Sequence, residues 1–158
     1  MKFKEIKRLV NLCRYEDDLY IAGYGKIAGV DEVGRGSLAG PLVAAAVILD
    51  KKKLIIENID DSKKLTENKR KYIFKKIIRS CLCWSVAKIP PHLALKYEKD
   101  AQDAIVFKRA VDSLKIKPDI VLSDFAGNLL IVMGISMKAT NALSISIAAA
   151  SIVAKVIR

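Results

Sequence analysis

Residues Ile27 to Leu49 read IAGVDEVGRGSLAGPLVAAAVIL, and the order of residue types in this stretch decides the fold. A short apolar run (Ile27, Ala28, Val30) leads into two adjacent acids, Asp31 and Glu32. Gly34, Arg35, Gly36 and Gly40 follow, and Pro41 opens a second apolar run. Successive side chains of a strand point to opposite faces, so adjacent acids leaving a strand put at least one carboxylate over its end. The expectation is a strand that delivers Asp31 and Glu32 into a loop at its mouth. Glycines in such a loop permit φ > 0 and the close approach of another backbone, and Arg35 supplies a matching positive charge. Turn chemistry alone would also accommodate Asp-Glu-x-Gly. A dinucleotide-binding loop fails on spacing, because Gly34-x-Gly36-x-x-x-Gly40 is one residue too long for G-x-G-x-x-G.

Downstream, Leu42 to Leu49 is apolar without alternation, as expected of a central strand covered on both faces. Asp50 to Lys53 turns the chain. Thr66 is placed to cap a helix that runs through Arg79, with Ile73, Phe74, Ile77 and Ile78 on one side and Lys71, Lys75, Lys76 and Arg79 on the other. Its basic face suits nucleic acid or simple solvation. Leu82 to Ile89 reads as a strand ended by Pro90-Pro91. A second helix is expected over about residues 92–114, with Ala104, Phe107, Val111 and Leu114 buried. His92, the only histidine, reads as a surface residue because no second histidine could complete a metal site. Ile120 to Leu122 then drives into Ser123-Asp124. Parallel pairing with the first strand would bring this third carboxylate beside Asp31 and Glu32; an ordinary turn before Gly127-Asn128 is the other reading. Leu129 to Met137 is expected to be a further strand, and Ile145 to Arg158 an internal helix of small residues.

Upstream, residues 1–25 form an N-terminal arm or short helix ending in Gly23-Tyr24-Gly25, with residues 26–158 as the main domain. A chain of 158 residues that is 52% hydrophobic can bury a core without disulfide staples, which excludes a disordered chain. Lysine and arginine number 28 against 17 acids, a formal charge of +11 that favours a polyanionic partner. Cys13, Cys81 and Cys83 match neither a disulfide framework nor a zinc site, and Cys81 and Cys83 should share one strand face. Reduced thiols and a charged N-terminus point to a cytoplasmic protein, and a monomer is expected. No membrane span is expected: Lys138 divides the apolar stretch Phe125 to Ala154 into pieces of about 13 and 16 residues, short of the ~20 needed. Clustered carboxylates without histidine or cysteine offer hard oxygen ligands, which suit Mg²⁺ or Mn²⁺.

Gly29 to Pro41 resembles the opening signature of type 2 ribonucleases H, specifically bacterial ribonuclease HII, G-[VI]-D-E-[AV]-G-R-G-x-L-A-G-P. Asp61-Ser62-Lys63-Lys64-Leu65, PDIVLSD at Pro118 to Asp124 and AAASIVAKVIR at Ala148 to Arg158 extend the resemblance in the family's order. It implies an α/β, ribonuclease H-like domain with a central mixed sheet flanked by helices. It implies metal-dependent endonucleolytic cleavage of the RNA strand of RNA-DNA hybrids, and of duplex DNA with embedded single ribonucleotides, leaving 3′-hydroxyl and 5′-phosphate ends. On that pattern Asp31, Glu32 and Asp124 are the catalytic metal ligands. Gly34, Arg35 and Gly36 read the 2′-hydroxyl at the junction, and Lys63 and Lys64 reach substrate phosphates. The family pattern continues past the position of Arg158 with a fourth acid and, later, a tyrosine under the junction sugar. It also carries Lys-Gly-Asp or Lys-Ala-Asp where this chain reads Lys138-Ala139-Thr140, and an Ile-Asp-x-x-Asn-Ile segment not matched after Pro91. Those departures imply, as the alternative, a catalytically impaired nucleic-acid-binding remnant, incomplete at its C-terminus, or an aggregation-prone fragment.

Overall fold

The computed structural model describes residues 1–35, 40–94, 96–124, 136–138 and 143–158. Among the described residues, five strands form one mixed sheet in the order β3-β2-β1-β4-β5. They are β1 (Ile27–Val33), β2 (Leu42–Leu49), β3 (Cys81–Ile89), β4 (Ile120–Ser123) and β5 (Ser136–Lys138). β1, β2 and β3 make an antiparallel meander, whereas β4 runs parallel to β1 and β5 parallel to β4. Among the described residues the helices are α1 (Phe3–Leu12), α2 (Arg14–Ile21), α3 (Glu67–Ser80), α4 (Pro91–Ala94), α5 (Lys99–Asp112) and α6 (Ile145–Ile157).

β2 shows why an unbroken apolar run means an interior strand. Ala45, Val47 and Leu49 join the core beneath α1, α3 and α6, while Ala44, Ala46 and Ile48 join the core beneath α5. Both faces are covered, and all eight residues are buried. Burying each Val, Ile or Leu there contributes roughly 1.5–3 kcal/mol, so a polar residue on either face would be costly. α6 is apolar nearly all round, and its residues from Ile145 to Ala154 are buried. It lies directly on β1 because Gly29 has no side chain: a Cβ there would sit 2.1 Å from the carbonyl carbon of Ser146.

Residues 1–25 form two helices that bury Leu9, Leu12 and Leu19. The carboxylate of buried Glu16 accepts the Ser144 hydroxyl at 2.6 Å and the Ser146 N–H at 3.0 Å, fastening α2 to the start of α6. Thr66 caps α3 by accepting the Lys69 N–H at 3.5 Å, and Ile73 and Ile77 are its buried residues.

The structure corrects four expectations. Asp31 and Glu32 lie within β1 and not in a loop, because antiparallel pairing continues through Asp31↔Ala45, Glu32↔Ala44 and Val33↔Val43. The helix expected over residues 92–114 is two elements, α4 and α5, with exposed His92 in the first. The buried side of α5 is Asp103, Val106, Phe107 and Ala110, rotated from the expected stripe so that Ala104, Val111 and Leu114 are only partly covered. Cys81 and Cys83 do not share a face. A register shift pairs Ile48 with Cys83 but Leu49 with Cys81, which sends Cys81 to the α3 side and Cys83 to the α5 side. Of the strand expected at Leu129 to Met137, residues 136–137 fall in β5 and 129–135 lie outside the described residues, as do the expected turn at Gly127-Asn128 and Ala139-Thr140.

Candidate active site

The site arises from the register between β1 and β4. The Asp119 carboxylate accepts the N–H groups of Gly25 and Lys26 at 2.9 and 2.8 Å, and the Asp119 N–H donates to the Lys26 carbonyl at 2.8 Å. These bonds pin the loop before β4 to the start of β1. Parallel pairing then matches Ala28 with Val121 and Gly29 with Leu122. Two residues further along both chains, Asp31 comes level with Asp124. β4 ends at Ser123 while β1 continues, so the acids of β1 project past the end of their parallel neighbour.

Asp31, Glu32 and Asp124 each offer a carboxylate oxygen within 4.8 Å of the others. Asp31 is buried, Glu32 half-buried and Asp124 exposed, so the cluster opens to solvent on one side. The Glu32 N–H donates to Asp31 Oδ1 at 2.9 Å. Burial, followed by the negative charges of Glu32 and Asp124, pushes the Asp31 carboxyl well above its usual range; the Ser151 hydroxyl and the Glu32 N–H oppose that rise. Burial also pushes Glu32 up to about 7, reinforced by Asp103 and Asp124. Carboxylates held together against their own repulsion are the donor set a divalent cation stabilises, and an all-oxygen set selects a hard ion.

Two faces support the cluster. On the α6 side, the Ser151 hydroxyl faces Asp31, and the Ser151 and Ser62 hydroxyls hydrogen-bond to each other at 2.8 Å in the buried interior. Ser62 begins the 3-10 turn Ser62–Lys64, where Asp61 Oδ1 accepts the Lys63 N–H at 2.9 Å. Arg70 of α3 donates to the carbonyls of Ser62 and Leu65 and steadies the same turn. Lys63 and Lys64 are thereby held on a turn tied to Asp31 through two hydroxyls. Both are exposed, and Lys64 pairs with Asp60 at 3.2 Å. On the α5 side, Arg35 donates from Nη2 to Asp100 at 2.6 Å, and its Nε lies 2.9 Å from Asp103, within ion-pair distance though not aligned as a hydrogen bond.

Gly34 takes φ +97°, and a Cβ on it would fall 2.7 Å from the Pro41 carbonyl and 2.8 Å from Arg158 Nε. That nitrogen donates to the same Pro41 carbonyl at 3.1 Å, so Arg158 packs between Gly34 and Pro41. Among the anticipated site residues, Asp31, Glu32 and Asp124 converge, Gly34 and Arg35 continue directly from β1, and Gly36 lies outside the described residues. The sequence reading missed Asp103, Ser151, Ser62 and the role of Gly29. A signal for Asp103 was present: it stands three and four residues before Val106 and Phe107 and seven before Ala110, an acid on the apolar stripe of a helix.

A mixed sheet flanked by helices on both faces, with carboxylates gathered where one parallel strand ends beside another, defines a ribonuclease H-like protein. The crystal structure of ribonuclease H2 from Pyrococcus horikoshii matches this fold with a TM-score of 0.74 and 31% sequence identity, over 84% of this chain and 72% of that one. The ribonuclease HII of Archaeoglobus fulgidus, solved in complex with PCNA, matches with a TM-score of 0.68 and 27% identity, over 84% and 71%. The chain belongs to the ribonuclease HII family, whose family model matches residues 28–158. It is 43% identical over 151 residues to the ribonuclease HII of Caldicellulosiruptor bescii and 41% identical over 149 residues to that of Carboxydothermus hydrogenoformans. These matches take in 94% and 90% of this chain but 72% and 62% of the relatives' own lengths. No helix among the described residues is long and apolar enough to cross a membrane.

Proposed function

We propose that this chain is a metal-dependent endoribonuclease that cuts the RNA strand of RNA-DNA hybrids and single ribonucleotides embedded in duplex DNA, leaving 3′-hydroxyl and 5′-phosphate ends. The observation that carries this reading is the convergence of Asp31, Glu32 and Asp124 within 4.8 Å where β4 ends beside β1. Those three carboxylates would hold Mg²⁺ or Mn²⁺. Bound there, such an ion supplies Lewis-acid stabilisation of phosphate charge and a more acidic water.

The chain's own residues account for the rest of the reading. Asp31, rigid within β1 and braced by Ser151, fixes the buried side of the cluster, and Asp124 leaves its open side accessible to a phosphodiester. Gly34, Arg35 and Gly36 lie next to the acids in sequence and are assigned to the ribose 2′-hydroxyl, the group that separates RNA from DNA. Glycine at position 34 supplies the φ of +97° with which the chain leaves β1, in a place where Pro41 and Arg158 leave no room for a side chain. Lys63 and Lys64 are assigned to backbone phosphates, in keeping with the excess of basic residues. A reducing, cytoplasmic setting fits the three free thiols, and the chain is assigned to act as a monomer.

The test is cleavage of a DNA duplex carrying one ribonucleotide, with Mg²⁺ or Mn²⁺, by the native chain and by Asp31→Asn. Cutting 5′ to the ribonucleotide that vanishes in the variant is expected. A folded native chain that binds the duplex and leaves it intact would replace this reading with that of a binding protein.

A further inference from the structure

Resting on the reading that the loop at Gly34 and Arg35 meets the sugar, we propose that Asp100 and Asp103 neutralise Arg35, so that it reads a neutral ribose hydroxyl instead of binding a phosphate. Helix α5 thereby becomes a determinant of ribonucleotide preference. The guanidinium is held from two sides by acids one helical turn apart: Asp103 is fully buried, whereas Asp100 is 76% exposed. Its Nη2 donates to Asp100 at 2.6 Å, and its Nε sits 2.9 Å from Asp103. One cation between two carboxylates has no surplus positive charge to offer. The negative charge of Asp103 also reaches Glu32, and that of Asp124 reaches both.

A phosphate approaching Arg35 would therefore meet repulsion from acids that already share the cation. A hydroxyl meets none, because it is neutral. A guanidinium has five N–H donors, and these two contacts leave others for it on a side chain that is 43% exposed. Burial raises the Asp103 carboxyl to about 6 against the pull of Arg35, which keeps it ionised at neutral pH. Attraction for phosphate is left to Lys63 and Lys64, on the far side of the cluster from α5.

The test is a binding titration of a duplex DNA carrying one ribonucleotide and of its all-DNA twin, in Ca²⁺ over a salt series, with strand integrity checked on a gel. The native chain is compared with Asp103→Asn and with Asp100→Asn. The latter is a surface change that keeps the fold, so a misfolded Asp103 variant does not leave the question open. The native chain should prefer the ribonucleotide duplex. Each folded variant should bind the all-DNA duplex about 3- to 10-fold more tightly, with a salt slope steeper by about 1, as one added phosphate contact requires. The ribonucleotide preference should shrink by a similar factor. Unchanged preference and unchanged slope in the folded variants would overturn the role of α5 while leaving the nuclease reading intact. Absence of any preference in the native chain would instead overturn the reading of the loop on which this inference rests.

Discussion

Without divalent metal, the chain should lose stability as pH rises from 5 to 8, and saturating Mg²⁺ or Mn²⁺ should abolish that loss. Glu32 is raised from 4.5 to about 7 and Asp103 from 3.8 to about 6, each chiefly by burial. Both groups keep a proton in the folded chain at pH values where the unfolded chain has released it. Between the two values the folded state binds more protons, so its advantage is complete below the unfolded value and is lost as pH climbs through the folded one. Asp31 and Glu16, also raised by burial, act in the same direction. Groups of opposite sign act elsewhere. Glu5, held down to about 2 by Arg8, and Asp119, held down by the N–H groups of Lys26 and Gly25, lose their contributions only below the ordinary carboxylate range. At 1.36 kcal/mol per unit, Glu32 alone is worth on the order of 3 kcal/mol. Mutual coupling and solvent on the open side reduce the combined effect to about 2–4 kcal/mol. With a urea m-value near 2 kcal/mol/M, the midpoint should fall by about 1–2 M. Trp84, the sole tryptophan, packs edge-on against Phe74 at 6.2 Å and reports the transition by fluorescence. Metal at about 100 times its Kd would add about 2.7 kcal/mol at the alkaline end. A midpoint that stays flat or climbs from pH 5 to 8 in EDTA would mean that burial does not hold protons on Glu32 and Asp103 in the folded chain.

Three further outcomes are expected. Asp31→Asn should lose cleavage and metal stabilisation yet gain about 1–3 kcal/mol in EDTA at pH 8, because it removes a buried charge that two neighbouring acids oppose; urea titration measures it. Gly29→Ala should cost at least about 3 kcal/mol or prevent soluble expression, since its methyl would meet backbone atoms of Ser146 and Ile147 at 2.1–2.4 Å with no flexible side chain to yield. Glu16→Ala should cost about 2–4 kcal/mol by leaving the Ser144 hydroxyl and the Ser146 N–H without their buried acceptor, and Glu16→Gln, which keeps an acceptor oxygen, should recover part of it in thermal melts.

The elements most legible in the sequence were those set by one-dimensional pattern. The unbroken apolar run of Leu42 to Leu49 reads as an interior strand, and Thr66 marked the start of α3 because a capping oxygen is a local requirement. The convergence of the three acids was also legible, since parallel pairing of β4 with β1 sufficed to align Asp124 with Asp31. What was not legible depends on partners distant in sequence. β1 extends through its acids because β2 pairs with it there, and the separation of Cys81 from Cys83 follows from a register shift against Ile48 and Leu49. Asp103 belongs to the same class. On a helix read alone it is one polar residue among apolar ones, and its meaning appears only when Arg35 arrives from 68 positions earlier (103 minus 35).

The contact at Gly29 bears on how closely the site's shape can be held. Most helix–sheet joints are cushioned by interlocking side chains, each with rotamers to explore. Here the main chain of α6 rests on the main chain of β1, two residues before Asp31 and on the helix that carries Ser151. Helix and strand thus form a single stiff body with little play between an acid and its brace. A site redesigned for a larger ion would have to be recut at Glu32, Asp124 or the Ser62–Lys64 turn, because the Asp31 wall has no slack to lend.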